Sequence, residues 1–279
     1  MKLSAVIGKY LLAFVAVTVI QTVIGALVMS VPKSSQSTNG LPWLLLSNAL
    51  AVAALSVLAL RSPWRGWRLG AAVAAVPLTI AFSGAIEGAF FLTNSGIAWP
   101  RLFAYAILSW AFTAPVWMLF GRPAAVISES YRPIASKARD ERAWKFVASD
   151  LAYGFLYFAA GAIIFPYVKD FYGTQQLPSH LRILAMQLLV RGPIFIVLCV
   201  ALVRMLGLPR LSGALAVGVV FSLLSGVTPL LTPNPFLPDV VRWVHMCEVT
   251  SSNFVFGTIV GWLWGRPRLA QFAVLHSTA

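Results

Sequence analysis

Apolar residues along the chain fall into eight long runs separated by short polar breaks, at roughly 8–31, 42–60, 69–93, 100–121, 146–168, 182–205, 211–231 and 240–264. Crossing a hydrocarbon core as a helix takes about 20 apolar residues, and every run meets that length. The pattern predicts an all-α polytopic membrane protein with eight transmembrane helices. The first run follows Lys2 and Lys9, as a signal peptide would. It is longer than a secretory h-region and lacks an A-x-A cleavage pattern, so it is expected to be retained.

The longest polar stretch, RPAAVISESYRPIASKARDERAWK (122–145), divides the chain into helices one to four (1–121) and helices five to eight with a short tail (146–279). It is too small for a domain and reads as a solvated basic linker. Its KARDERAWK portion suits a helix lying on the membrane surface. The two halves resemble each other. LFGRP (119–123) ends helix four and LWGRP (263–267) ends helix eight; WRLGAA (67–72) opens helix three and PRLSGA (209–214) opens helix seven. LTN (92–94) and LTPN (231–234) follow those helices, so three anchors recur in order about 139–144 residues apart. An internal duplication is the expectation. With four helices per half, the copies form a parallel repeat, as in several transporter folds.

Charge sets the orientation. With the N-terminus inside, fifteen basic residues fall on the cytoplasmic side and five on the other, leaving Arg191 within a helix. The positive-inside rule then puts both termini in the cytoplasm and the protein in the cytoplasmic (inner) membrane. Composition agrees: 59% of residues are hydrophobic and 10% charged, too few polar groups to coat a water-soluble globule. The net charge of +13 comes from residues at helix ends, which matches orientation and anionic lipid rather than nucleic acid. Cys199 and Cys247 lie in apolar runs and suggest no disulfide framework. Trp43, Trp64, Trp67, Trp99, Trp243, Trp262 and Trp264 sit near helix ends, at the depth amphipathic rings prefer.

Four ionisable residues interrupt this apolar background: Glu87, Arg191, His245 and Glu248. A charge at mid-membrane costs about 2.5–3.5 kcal/mol on insertion scales, so each requires a partner or a wet cavity. On helix eight, His245, Glu248 and Ser252 fall within about 60° of arc, with Arg242 and Asn253 extending the stripe and Cys247 on the opposite side. On helix three, SGAIEGAFF places Gly84 and Gly88 around the face carrying Glu87, a spacing that predicts close approach of a neighbouring helix. In helix six, Gln187 and Arg191 are one turn apart and Gly192-Pro193 follows, which predicts a kink beside the arginine. At 1.5 Å per residue, the four charged residues lie about 8–14 Å below the outer edge. The duplication does not repeat them, so they form one asymmetric site.

Two carboxylates share one arginine in this cluster, which leaves one for His245. Such a pair serves a proton relay. The simplest alternative is a salt bridge that only fixes helix packing. His245, Glu248 and Glu87 could in principle bind one ion, but His245 is the only histidine placed in a helix and no H-E-x-x-H or G-x-S-x-G pattern occurs. No metal and no cofactor is expected. The expected function is a small-solute or proton-coupled transporter or permease, with a small-molecule or ion substrate and membrane lipid as partners. Its site comprises Glu87, Gln187, Arg191, His245, Glu248, Ser252 and Asn253. A membrane-embedded enzyme acting on lipid or prenyl substrates, and a non-catalytic subunit of a membrane complex, are the alternatives.

Overall fold

The structure, a computed structural model, describes residues 3–28, 40–92, 99–121, 139–233 and 237–265. Most of the basic linker and the tail with His276 lie outside these ranges, as do parts of the LTN and LTPN anchors. Eight helical rods make up the described chain: α1 (Leu3–Val28), α2 (Gly40–Arg61), α3 (Gly66–Phe91), α4 (Trp99–Phe120), α5 (Arg139–Gly173), α6 (His180–Leu206), α7 (Arg210–Leu231) and α8 (Asp239–Trp264). Seven are long and apolar enough to cross a membrane. The eighth, α8, has the length but falls short in hydropathy, because Arg242, His245, Glu248 and the Thr-Ser-Ser-Asn run at 250–253 lie along it. Only a narrow stripe of α8, through Val240, Cys247, Ser251, Val255 and Trp262, faces outward. Ser251 satisfies its hydroxyl on the carbonyls of Cys247 and Glu248 in its own helix. Each of the other helices also turns large apolar side chains outward, as lipid contact requires.

Three rods carry an irregular turn. A 3-10 turn occupies Ser109–Thr113 in α4, and π turns occupy Gln187–Arg191 in α6 and Leu223–Val227 in α7. Each is followed directly by one residue and a proline, in Ala114-Pro115, Gly192-Pro193 and Thr228-Pro229. Proline brings no N–H to the helical ladder and its ring crowds the preceding turn, so the backbone rewinds there. In α7 the Thr228 hydroxyl donates to the Leu224 carbonyl at 3.1 Å, supplying the donor that Pro229 lacks. Pro193 thus acts through a widened turn that contains Arg191.

Packing is uneven along the bundle. At one end, the base, α1, α3, α5 and α7 start while α2, α4, α6 and α8 finish. Cations cap helix C-termini there: Lys9 Nζ donates to the Leu119 carbonyl (2.8 Å), Arg61 Nε to Leu206 (3.5 Å) and Arg210 Nε to Trp262 (2.8 Å). The contiguous buried core, including Leu58, Leu69, Val116, Phe120, Leu202, Met205 and Val260, fills the bundle from the base to its middle. Beyond the middle, the helices part around a cavity.

The closest helix contact is between α7 and α8. A Cβ on Gly261 would meet Ala214 Cα at 2.6 Å, and one on Gly257 would meet Gly218 Cα at 3.0 Å. Such backbone-to-backbone approach is the use that membrane helices make of small residues. The Gly84–Gly88 groove of α3, expected from its spacing to be the close contact, is not one. Nothing lies within 4 Å of a Cβ on Gly84, and one on Gly88 would meet only the Trp99 ring. Gly84 lines the cavity instead. Replacing Gly261 with Leu should therefore destabilise the bundle by at least about 1–3 kcal/mol. Gly84→Ala should leave it unchanged, as thermal unfolding in detergent would read.

Candidate functional site

The floor of the cavity is built by α3, α5, α6 and α8. Arg191, at the end of the α6 π turn, is 7% exposed. Its Nη1 donates to Glu87 Oε1 of α3 at 2.5 Å, and its Nε donates to Ser83 Oγ one turn earlier at 3.0 Å. Nη1 also reaches Gln187 Oε1 at 3.4 Å, and the guanidinium lies 5.3 Å from the Phe195 ring centroid. Tyr153 of α5 donates its hydroxyl to the same Gln187 oxygen at 3.1 Å. A buried arginine is thus held by acceptors from α3 and α6, with α5 joined through Gln187.

The second ionisable pair lies on α8. His245 Nδ1 and Glu248 Oε2 are 2.7 Å apart. With Glu248 ionised, Nδ1 carries the proton and donates. The other Glu248 oxygen faces Gly161 of α5. Ser252 returns its hydroxyl to the Glu248 carbonyl at 2.8 Å. Asn253 donates from Nδ2 to Ser225 Oγ at 2.8 Å, which ties α8 to the π turn of α7.

Glu87, Arg191, His245 and Glu248 all border one small cavity of about 30 Å³, together with Tyr153, Tyr157, Ser252 and Asn253. That volume accommodates a water molecule with polar partners on several sides. The same four charged residues also line a much larger cavity of about 1130 Å³, which draws on all eight helices. Its lining runs from Val17, Leu55 and Val76 near mid-bundle to Leu92, Trp99, His180 and Leu237 at the end away from the base. The walls are mainly aliphatic and aromatic. Several other polar groups along them are paired, Asn48 with Thr18 (3.1 Å), Gln21 Nε2 with Tyr105 (3.3 Å) and Ser47 with the Thr228 carbonyl (2.7 Å), while Gln21 Oε1 has no partner among the described residues. Both carboxylates at the floor are paired too, so the site holds two neutral-summing couples when His245 is protonated and one surplus negative charge when it is not.

Of the residues singled out in the sequence, Glu87, Gln187, Arg191, His245, Glu248, Ser252 and Asn253 all come to this region, with distinct roles. Gln187 is fully buried behind the arginine and orients it rather than lining the small cavity. Arg242 does not join them. It is 2% exposed and turns to the end of α7, where Nη1 donates to the carbonyls of Leu230 (2.7 Å) and Leu231 (2.9 Å) and Nη2 pairs with Asp239 (3.0 Å). The α8 stripe therefore splits, with Arg242 closing a helix C-terminus and the rest facing the cavity floor. Cys247 is exposed on the other side. Among the described residues, no three His, Cys, Asp or Glu side chains are placed to hold a metal ion. Sequence reasoning missed the α5 contribution. Asp150, Tyr153 and Tyr157 recur at helical spacing in SDLAYGFLYF, and that polar stripe in an apolar run was the available signal.

Compared with known protein families, curated proteins and solved structures, the chain matches none.

Arg191→Ala would leave Glu87 buried without its cation. Breaking a buried pair from one side costs about 3–5 kcal/mol, so the variant should unfold at clearly lower temperature in detergent. Exchanging the two residues, Glu87→Arg with Arg191→Glu, should recover part of the loss. Equal melting temperatures for wild type and Arg191→Ala would refute the assignment.

Proposed function

We propose that the protein is a permease for a small amphipathic solute, with proton movement at the His245–Glu248 and Arg191–Glu87 pairs. The observation that carries this reading is the division of the bundle along its length. A core closes the half near the base, whereas the other half surrounds a cavity of about 1130 Å³ with the ionisable residues at its floor. A cavity of that volume encloses a drug-sized molecule, and apolar walls with a few convergent polar groups are the usual construction of a small-molecule site. Access from one side only is what one state of an alternating-access cycle requires.

Other observations support the details. In both halves the first helix packs on the second and fourth: α1 on α2 and α4, α5 on α6 and α8. The third pairs with the fourth, as α3–α4 and α7–α8, and across the halves α2 meets α7 as α3 meets α6. A pseudo-two-fold exchange of the halves relates these contacts, which supports the parallel repeat. The charge asymmetry supports a cytoplasmic base in an inner membrane, with the cavity opening outward. The mainly apolar cavity also suits a membrane enzyme acting on lipid or prenyl substrates. Such an enzyme would turn over substrate in detergent, without a sealed compartment.

Purified protein in proteoliposomes should carry solute or protons down an imposed pH gradient, read by an entrapped pH dye. Glu87→Gln and Glu248→Gln should each lower that flux at least about tenfold, the factor that about 1.4 kcal/mol corresponds to, while remaining monodisperse. Full activity in both folded variants would refute the proposal.

A further inference from the structure

One carboxylate near the site has no role in the arrangement described. Asp150 is on α5, one turn nearer the base than Tyr153, and its Oδ1 is buried without a hydrogen-bond partner among the described residues. The residue as a whole is half-buried, but an unpaired buried carboxylate oxygen is costly, and a second state in which it is satisfied would offset that cost.

Its position relative to α6 is well defined. The two helices run antiparallel, with the Tyr153 hydroxyl on Gln187 and the Leu188 side chain over Gly154. One turn toward the base, this register brings residue 150 level with residues 191 and 192. Asp150 Oδ1 indeed sits against Gly192, in the space where a side chain on Gly192 would begin. Glycine at 192 is what admits the carboxylate to the α6 backbone, beside the arginine. Arg191 has donors to offer: its three side-chain hydrogen bonds use Nε and Nη1, and Nη2 makes none among the described residues. Arg191 also belongs to a π turn followed by Gly192-Pro193, a segment whose hydrogen-bond ladder is already interrupted. Shifting the register of such a turn breaks fewer bonds than it would in a regular helix.

The geometry points to Asp150 as a second ion-pair station for Arg191. Arg191 pairs with Glu87 while the cavity is open, and it transfers to Asp150 when Glu87 gains a proton or a cationic solute group. No covalent bond changes in this exchange. The guanidinium leaves one carboxylate for another, and the proton or cation neutralises the first. The exchange moves charge from α3 to α5, from the cavity floor toward the sealed half. Its meaning for transport rests on the permease reading, but the exchange itself is tested apart from flux.

The test is a double-mutant cycle on the full-length purified protein, read as thermal unfolding in one detergent. Asp150→Asn alone should leave the melting temperature level or raise it slightly, since it removes a carboxylate that has no partner in the open state. In Glu87→Gln, Arg191 turns to Asp150, so adding Asp150→Asn should lower the melting temperature by about 4 °C more than the two single shifts combined. Additive shifts would overturn the exchange. If Glu87→Gln does not yield folded protein, the cycle is run with Glu87→Asp, whose shorter side chain reaches the guanidinium less well. Adding Asp150→Asn should then again lower the melting temperature by more than the two single shifts combined, and additive shifts would overturn the exchange. Proton flux in proteoliposomes decides the other question independently. A wild-type protein without flux of solute or protons sinks the permease reading, whereas the cycle alone decides whether Arg191 and Asp150 are coupled.

Discussion

A guanidinium in the middle of a membrane bundle must be surrounded by acceptors, and much of this architecture follows from how Arg191 meets that demand. Its partners are Glu87 and Ser83 on α3 and Gln187 on its own helix, with Tyr153 of α5 joined through Gln187. The bonds couple the first half of the chain to the second at one level of the bundle. Removing Glu87 takes away the one carboxylate on the guanidinium, and removing Ser83 leaves Nε without its acceptor, each a cost in a buried site. The cluster therefore stabilises helix packing whatever else it does. What distinguishes it from a purely structural bridge is its place at the floor of a large cavity rather than in the core.

Core and cavity divide the same eight helices. Near the base, small residues on α7 and α8 let two backbones touch, and Leu, Val and Phe from most of the rods interlock. Toward the other end, Gly84 and Gly88 of α3 face open space or a Trp ring, and the helices spread. Burial in lipid provides little hydrophobic incentive to close such a space, because a hydrocarbon tail contacts Leu about as well as another helix does. Packing and polar bonds are left to hold the open half. The pairs Thr18–Asn48, Gln21–Tyr105 and Ser47 with the Thr228 carbonyl do so.

Prolines mark the irregular turns. The three irregular turns each end one residue before the residue preceding the ring, and two of them contribute side chains to the site, Arg191 from α6 and Ser225 from α7. A π turn widens the helix and redirects the side chains on it. Two helices of the second half thus acquire their functional faces from the same local defect, whereas Pro77 and Pro166 sit in helices that continue unbroken.

Much of this was legible in the residue order. Apolar runs of about 20 residues can satisfy their backbone in lipid only as helices, so the rods and their approximate ends follow from hydropathy alone. The shortage of polar partners in those runs likewise marks Glu87, Arg191, His245 and Glu248 as residues that must meet one another or line a cavity. Contacts between helices were not legible, because a Gly-x-x-x-Gly spacing reports that approach is sterically allowed and not which neighbour accepts it. Gly84–Gly88 was left open and Gly257–Gly261 was used. Arg242 shows the same limit. Its angle on the α8 wheel grouped it with His245, yet the unfilled carbonyls ending α7 claimed it. Local periodicity states which face a residue is on. Which partner waits there depends on the three-dimensional arrangement of chains distant in sequence, and that was decided by packing.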